Sequence, residues 1–153
     1  MSVLARYRKP GGFRQLLQLI ETSQPAKQAK LIEVIQREDP HWARLIEKKK
    51  ITCEMVLKWD ADHLALIIEN MVENHAACLF HIMEDNSIMA FETLIRPEKY
   101  RRLRSLFENM EEPKPQTQMA AKNHLLETVR FLDEEKKIIL RFIDPKLDLS
   151  EAA

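Results

Sequence analysis

A chain of 153 residues fits one ordinary domain or two small helical lobes, and a core of that size needs no disulfide or metal. Only two glycines are present, and helix-favouring Leu, Ile, Ala, Glu, Lys, Arg, Gln and Met dominate, which points to an all-α fold. The 24 basic and 24 acidic side chains cancel, which argues against a protein that holds nucleic acid mainly through phosphates.

The first twelve residues are basic and end in Pro10-Gly11-Gly12, predicting a hinge or linker where backbone freedom is needed. Phe13, Leu16, Leu17 and Ile20 then follow the i, i+3, i+4, i+7 spacing of a buried helix face. Ser23 is placed to cap the next helix, with Pro25 in its first turn and Leu31, Val34 and Ile35 on its apolar side. Asp39 and Pro40 repeat the device ahead of Trp42, Leu45 and Ile46. Three short helices therefore fall between residues 12 and 48. Lys48, Lys49 and Lys50 close the third, where positive charge suits the C-terminal end of the dipole.

Thr52 can cap a short helix carrying Met55 and Val56, and Asp60 another with Leu64, Ile67, Ile68 and Met71. Asn74 is placed to cap a helix through Cys78, Leu79, Ile82 and Met83. Ile88, Phe91, Leu94 and Ile95 make the next apolar face. Pro97 opens a helix with Tyr100, Leu103, Phe107 and Met110 inward and a basic outer face. The stretch from Glu111 to Gln118, with Pro113 and Pro115, reads as a loop. A long helix is predicted from about Gln118 to Phe142, with Leu125, Leu132 and Ile139 seven apart, breaking before Asp144-Pro145 and a frayed end.

The expected fold is all-α, with short helices stacked in an armadillo-like, right-handed superhelical or bundle architecture of two lobes. Residues 1–12 form a basic N-terminal segment, 13–47 a three-helix lobe, 54–142 a helical bundle and 143–153 a tail. The lobes join near residues 48–53. The N-terminus lacks the apolar core of a signal peptide, and no uncharged run approaches the roughly 18 residues of a membrane span. With Cys53 and Cys78 too few for a disulfide framework, a cytoplasmic protein is expected.

His75, Cys78 and His81 recur every three residues, so two of them could meet one zinc ion. The outer pair diverges by about 240° around a helix, however, and a structural zinc site wants four ligands. The plainer reading is a buried Cys78 with the histidines at a helix start and edge. Neither cysteine has a local base, orienting group or oxyanion donors to make it a nucleophile. Gly11-Gly12 lacks the rest of a phosphate-binding loop. No catalysis, cofactor or metal is expected. Two basic clusters carry interleaved aromatics: Arg6, Arg8, Lys9 and Arg14 with Tyr7 and Phe13, and Lys99, Arg101, Arg102 and Arg104 with Tyr100. They read as solvated faces or contacts for an acidic partner. A basic-armed, helical nucleic-acid binder or regulator is the alternative.

Glu38-Asp39-Pro40-x-x-Ala43-x-x-Ile46, followed by Ile51-x-Cys53-Glu54-x-Val56 and Asp60, resembles the pattern of the flagellar motor-switch protein FliG, in its C-terminal half. Gly11-Gly12-Phe13 upstream, and Phe91-x-x-Leu94, Pro113 and Arg130-x-Leu132-x-Glu134-x-x-x-Ile138 downstream, keep the same order. The resemblance runs from about residue 9 to 142 and rests on this collinearity, since no single motif is specific.

The resemblance implies an armadillo-like unit, a flexible joint at Lys50, Ile51, Thr52 and Cys53, and a C-terminal bundle. It implies a protein partner: a FliG-type armadillo unit, another flagellar basal-body component, or a second copy of the chain. Phe13, Leu17, Leu31, Ile35, Trp42 and Ile46 would be divided between the lobe's own core and that interface. Lys99, Arg101, Arg102 and Arg104 would offer a charged contact face. The family's ring-anchoring N-terminal domain has no counterpart in these residues. Its charged ridge falls at His81, Glu98 or Lys99, Ser105, Leu106 and near Pro115, where most of the charges are lost or swapped. The expectation is therefore an adaptor without a torque-generating ridge, at the cytoplasmic face of a membrane complex.

Overall fold

The computed structural model describes residues 2–150, and every regular element among them is helical. The chain divides into two units, Met1–Thr52 with Ile139–Ala153, and Cys53–Ile138.

The first unit is built on α1 (Gly12–Glu21), α2 (Pro25–Glu38) and α3 (Pro40–Lys49). Phe13, Leu16, Leu17 and Ile20 of α1 are buried with Ile35 of α2 and Ala43, Leu45 and Ile46 of α3. Each large aliphatic residue so buried contributes about 1.5–3 kcal/mol. Asp39 accepts the Trp42 N–H at 3.1 Å and Pro40 fills the first turn, so α3 begins as the sequence indicates. The start of α2 differs. Its cap position is Gln24, and the Ser23 hydroxyl donates instead to the Leu19 carbonyl at 2.5 Å. The hydroxyl finishes α1 rather than opening α2.

The glycines do not form a linker. Gly11 turns the chain at φ 78°, and a β-carbon on Gly12 would lie 1.9 Å from the Tyr7 carbonyl oxygen. Only a hydrogen fits there, so the backbone around Tyr7 lies directly against the start of α1. Leu4 is fully buried in the same core, beneath a single 3-10 turn at Ala5–Tyr7.

The second unit holds α4 (Cys53–Val56), α5 (Ala61–Glu69), α6 (Glu73–Phe80), α7 (Asp85–Leu94), α8 (Pro97–Asn109) and α9 (Pro115–Glu134). α6 packs against both α8 and α9, and buried Ala76 and Ala77 keep its surface low enough for close approach. Phe80 carries the packing onward, with ring centroids 6.0 Å from Phe91 and 5.7 Å from Phe107. α6 follows Val72 with no side-chain cap, so Asn74 does not play the capping role its residue type suggests.

The predicted helix from Gln118 to Phe142 is interrupted. α9 starts three residues earlier, with Pro115 in its first turn, and ends at Glu134. Lys136 adopts φ 60°, and the Lys137 N–H closes back on the Leu132 carbonyl at 2.9 Å. This is the left-handed helix stop usually given to glycine, here on a lysine. Ile138 then folds back and is buried.

Residues from Ile139 group with the first unit. They form α10 (Leu140–Ile143) and a 3-10 turn at Pro145–Leu147, opened by Asp144, which accepts the Lys146 N–H at 3.2 Å. Leu147 is buried, and the fully buried Lys49 donates its ammonium to the Lys146 carbonyl at 3.1 Å. Residues 151–153 of the expected tail lie outside the described residues.

Candidate functional site

The Glu38-Asp39-Pro40 run organises the surface of the first unit. The Glu38 carboxylate accepts the Ser2 hydroxyl at 2.7 Å and the backbone N–H groups of Val3 at 2.6 Å and Leu4 at 3.2 Å. These bonds, the Val3 N–H foremost and the Ser2 hydroxyl next, hold its pKa below the ordinary glutamate value. Asp39 receives the Arg8 guanidinium at 2.7 Å while capping α3. The Arg8 hydrogen bond, then the Trp42 N–H, keep its pKa below that of an ordinary aspartate. Two adjacent carboxylates thus fasten residues 2–8 across the ends of α2 and α3.

That fastening builds one wall of an open cleft of about 850 Å3. Phe13, Trp42 and Leu149 supply apolar surface, with the Phe13 and Trp42 rings edge to face at 5.3 Å. Arg8 lies over the Trp42 ring, 4.1 Å from its centroid, at the distance of a cation–π contact. Lys9, Arg14 and His41 also line it, and among the described residues no acidic side chain does. A second, shallower groove of about 370 Å3 runs between α2 and α3, past Ile32, Gln36, Ala43 and Arg44.

Of the apolar residues expected at an interface, Phe13, Leu17, Ile35 and Ile46 are buried in the unit's own core. Leu31 and Trp42 are half-buried at its edge, together with Ile32. Where the joint was expected, Ile51 is buried and its N–H donates to the Glu21 carboxylate at 2.8 Å. Lys50 pairs with Glu47 at 3.3 Å, Thr52 is exposed, and Cys53 begins α4 as a buried residue.

On α8 the expected charged face is uneven. Lys99 is buried, donating its ammonium to the backbone carbonyls of Glu69 and Met71 at the end of α5. Burial holds its pKa below the ordinary lysine value. Arg101 and Arg102 are exposed, and Arg102 reaches Glu73 at 2.9 Å. Arg104 pairs with Glu108 at 3.2 Å and lies over Phe107.

His75, Cys78 and His81 go separate ways. The His75 ring lies tilted against His124 with centroids 4.9 Å apart, and His81 meets Phe107 edge to face at 4.7 Å. His124 accepts the Val72 N–H at 3.0 Å, and burial followed by the charge of His75 lowers its pKa. Among the described residues, no three His, Cys, Asp or Glu side chains gather as metal ligands would. Burial pushes the Cys78 thiol up, and burial with the neighbouring Glu54 charge pushes Cys53 up to about 12. Both stay protonated near neutral pH, which is unsuited to a nucleophile. No helix among the described residues is long and apolar enough to cross a membrane.

The cleft escapes sequence reasoning because Arg8 and Trp42 are 34 residues apart and share no periodicity. The basic run with interleaved Tyr7 and Phe13 was its one visible signal. Residues 33–140 match the family model of the FliG C-terminal domain. A search of curated proteins finds no match.

Proposed function

The chain belongs to the FliG C-terminal domain family, and from that premise we propose that it is a non-enzymatic interaction module or adaptor of a flagellar or motility switch-type assembly. The observation that carries this reading is the apolar edge of the first unit. Leu31, Ile32 and Trp42 remain half-buried after the core has taken Phe13, Leu17, Ile35 and Ile46. With the groove between α2 and α3, they suit the apolar side of a partner helix. The partner is an armadillo-like unit of another switch or basal-body protein, or of a second copy. The work is done in the cytoplasm, and the segment from Lys50 to Cys53 serves as the joint that lets each unit engage separately.

The charge arrangement on α8 favours an adaptor over a torque generator. Lys99 is spent on backbone carbonyls, while Arg102 and Arg104 are paired with Glu73 and Glu108. Little uncompensated charge is left for a stator to push. The buried, protonated thiols support a role without catalysis.

The test is affinity capture from native cells with the tagged full chain and its Ile32→Glu variant, at moderate salt. The parent is expected to retain switch or basal-body proteins, and the variant to lose them with its helical circular dichroism unchanged. Equal capture by both chains would overturn the docking surface. Capture of none of these proteins by the parent would overturn the adaptor role.

A further inference from the structure

α9 stops where its sequence does not require a stop. From Gln116 to Asp144 there is no glycine or proline, and Leu125, Leu132 and Ile139 keep their sevenfold spacing across the break. Yet the helix ends at Glu134, and Lys136 stands at φ 60°, a conformation that strains any side chain and leaves glycine unstrained. Beyond the break the chain belongs to the first unit, where Leu140 and Leu147 are buried and Leu149 packs against the core. The Lys49 ammonium holds the Lys146 carbonyl there. Phe142 gains nothing from this course, being 74% exposed. On a continuous helix it would follow Ile139 by three residues, along the stripe that starts at Leu125. Local helix preference and tertiary seating therefore oppose each other over residues 135–142.

We propose that residues 135–150 are a two-state strap. Closed, they sit on the first unit as the structure shows. Released, α9 continues through Phe142 and withdraws residues 144–150 from that unit, with Lys136 as the hinge. Asp144-Pro145 bounds the extension, because proline cannot continue the helix. Release takes Leu149 out of the cleft wall it shares with Phe13 and Trp42. Trp42 belongs to the apolar edge assigned to docking, so the closed strap restrains that edge, and a partner that binds it better without Leu149 draws the strap open. This consequence rests on the adaptor reading; the helix extension does not.

NMR on the full chain separates the two states, because Ile139 is extended when closed, at φ −122° and ψ 102°, and helical when released. Lys136→Gly favours the left-handed stop and disfavours the continuous helix. It is expected to slow hydrogen exchange about tenfold at the Asp144 and Leu147 amides, which bond the carbonyls of Leu140 and Asp144. A turn without the strap's motion would slow only Lys137 and Ile138, beside the substitution. Leu147→Ala loosens the seat. It is expected to speed exchange at Asp144 and Leu147 and to move the Ile139 α-carbon shift toward the helical range, with helical circular dichroism retained. No slowing at Asp144 and Leu147 in Lys136→Gly, or an Ile139 shift that does not turn helical in Leu147→Ala, would each overturn the proposal. Neither result bears on partner capture by the Ile32→Glu variant, so the strap and the docking edge fail separately.

Discussion

The Arg8 guanidinium donates to the Asp39 carboxylate at 2.7 Å, tying the N-terminal segment to the residue that caps α3. One side chain therefore serves two elements, and its replacements should separate the two duties. Asp39→Ala removes both and is expected to cost about 1–2 kcal/mol, most of it from the lost cap. The ion pair is partly exposed and adds little by itself. Asp39→Ser keeps a capping oxygen without the charge and should recover most of the loss. Urea unfolding of the three chains checks the order, and equal losses for Ala and Ser would show that the Arg8 pair dominates.

Acid should loosen the N-terminal segment. Glu38 and Asp39 both have folded-state pKa values below their ordinary ones, so the unfolded chain binds protons first as pH falls. Their contribution is complete above the ordinary carboxylate range of about 4 and is lost as pH drops through the lowered folded values. Hydrogen exchange at the Val3 and Leu4 amides should accelerate over that window, beyond the intrinsic pH dependence of exchange. In Glu38→Gln the Val3 and Leu4 amides should exchange faster already at neutral pH. Protection unaffected by that substitution would show that Glu38 does not hold the segment.

Gly12 reverses a familiar rule. Alanine normally stabilises a helix relative to glycine, by about 1 kcal/mol in an interior position. Here the added β-carbon would meet the Tyr7 carbonyl oxygen at 1.9 Å, and the Tyr7 carbonyl carbon and α-carbon at 2.6 and 2.9 Å. That obstacle is backbone and cannot rotate away. Gly12→Ala is expected to lower the melting temperature and to expose the segment around Leu4 to limited proteolysis. An unchanged or raised melting temperature would mean that the segment lifts from α1 at little cost.

The helical class and most helix positions were legible because apolar spacing and Pro-marked starts report local physics. Phe13, Leu16, Leu17 and Ile20 are all buried, and Pro25, Pro40 and Pro97 each stand in a first turn. The misreadings came where a residue type serves two local roles and the spacing alone does not say which is taken. Ser23 finishes one helix rather than starting the next, and Lys136 takes a left-handed stop although the sevenfold spacing runs on to Ile139. The cleft was the least legible feature. Its walls come from the N-terminal segment, the ends of α1 and α3, and Leu149, and no local pattern brings these together.

Lys99 gives the sharpest contrast between a charge that looks like surface and one that is structure. It is 8% exposed, and its ammonium covers the carbonyls of Glu69 and Met71, where the C-terminal end of α5 favours a cation. Lys99→Met keeps the aliphatic stem but leaves those carbonyls without this donor, a loss of about 1–3 kcal/mol less whatever burying the charge had cost. A net destabilisation of about 1 kcal/mol is expected. Arg101, two residues on and exposed, should tolerate Met within about 0.5 kcal/mol. Denaturation of the two variants side by side decides the matter. A neutral Lys99→Met would mean that relief from burying the ammonium outweighs its two carbonyl contacts.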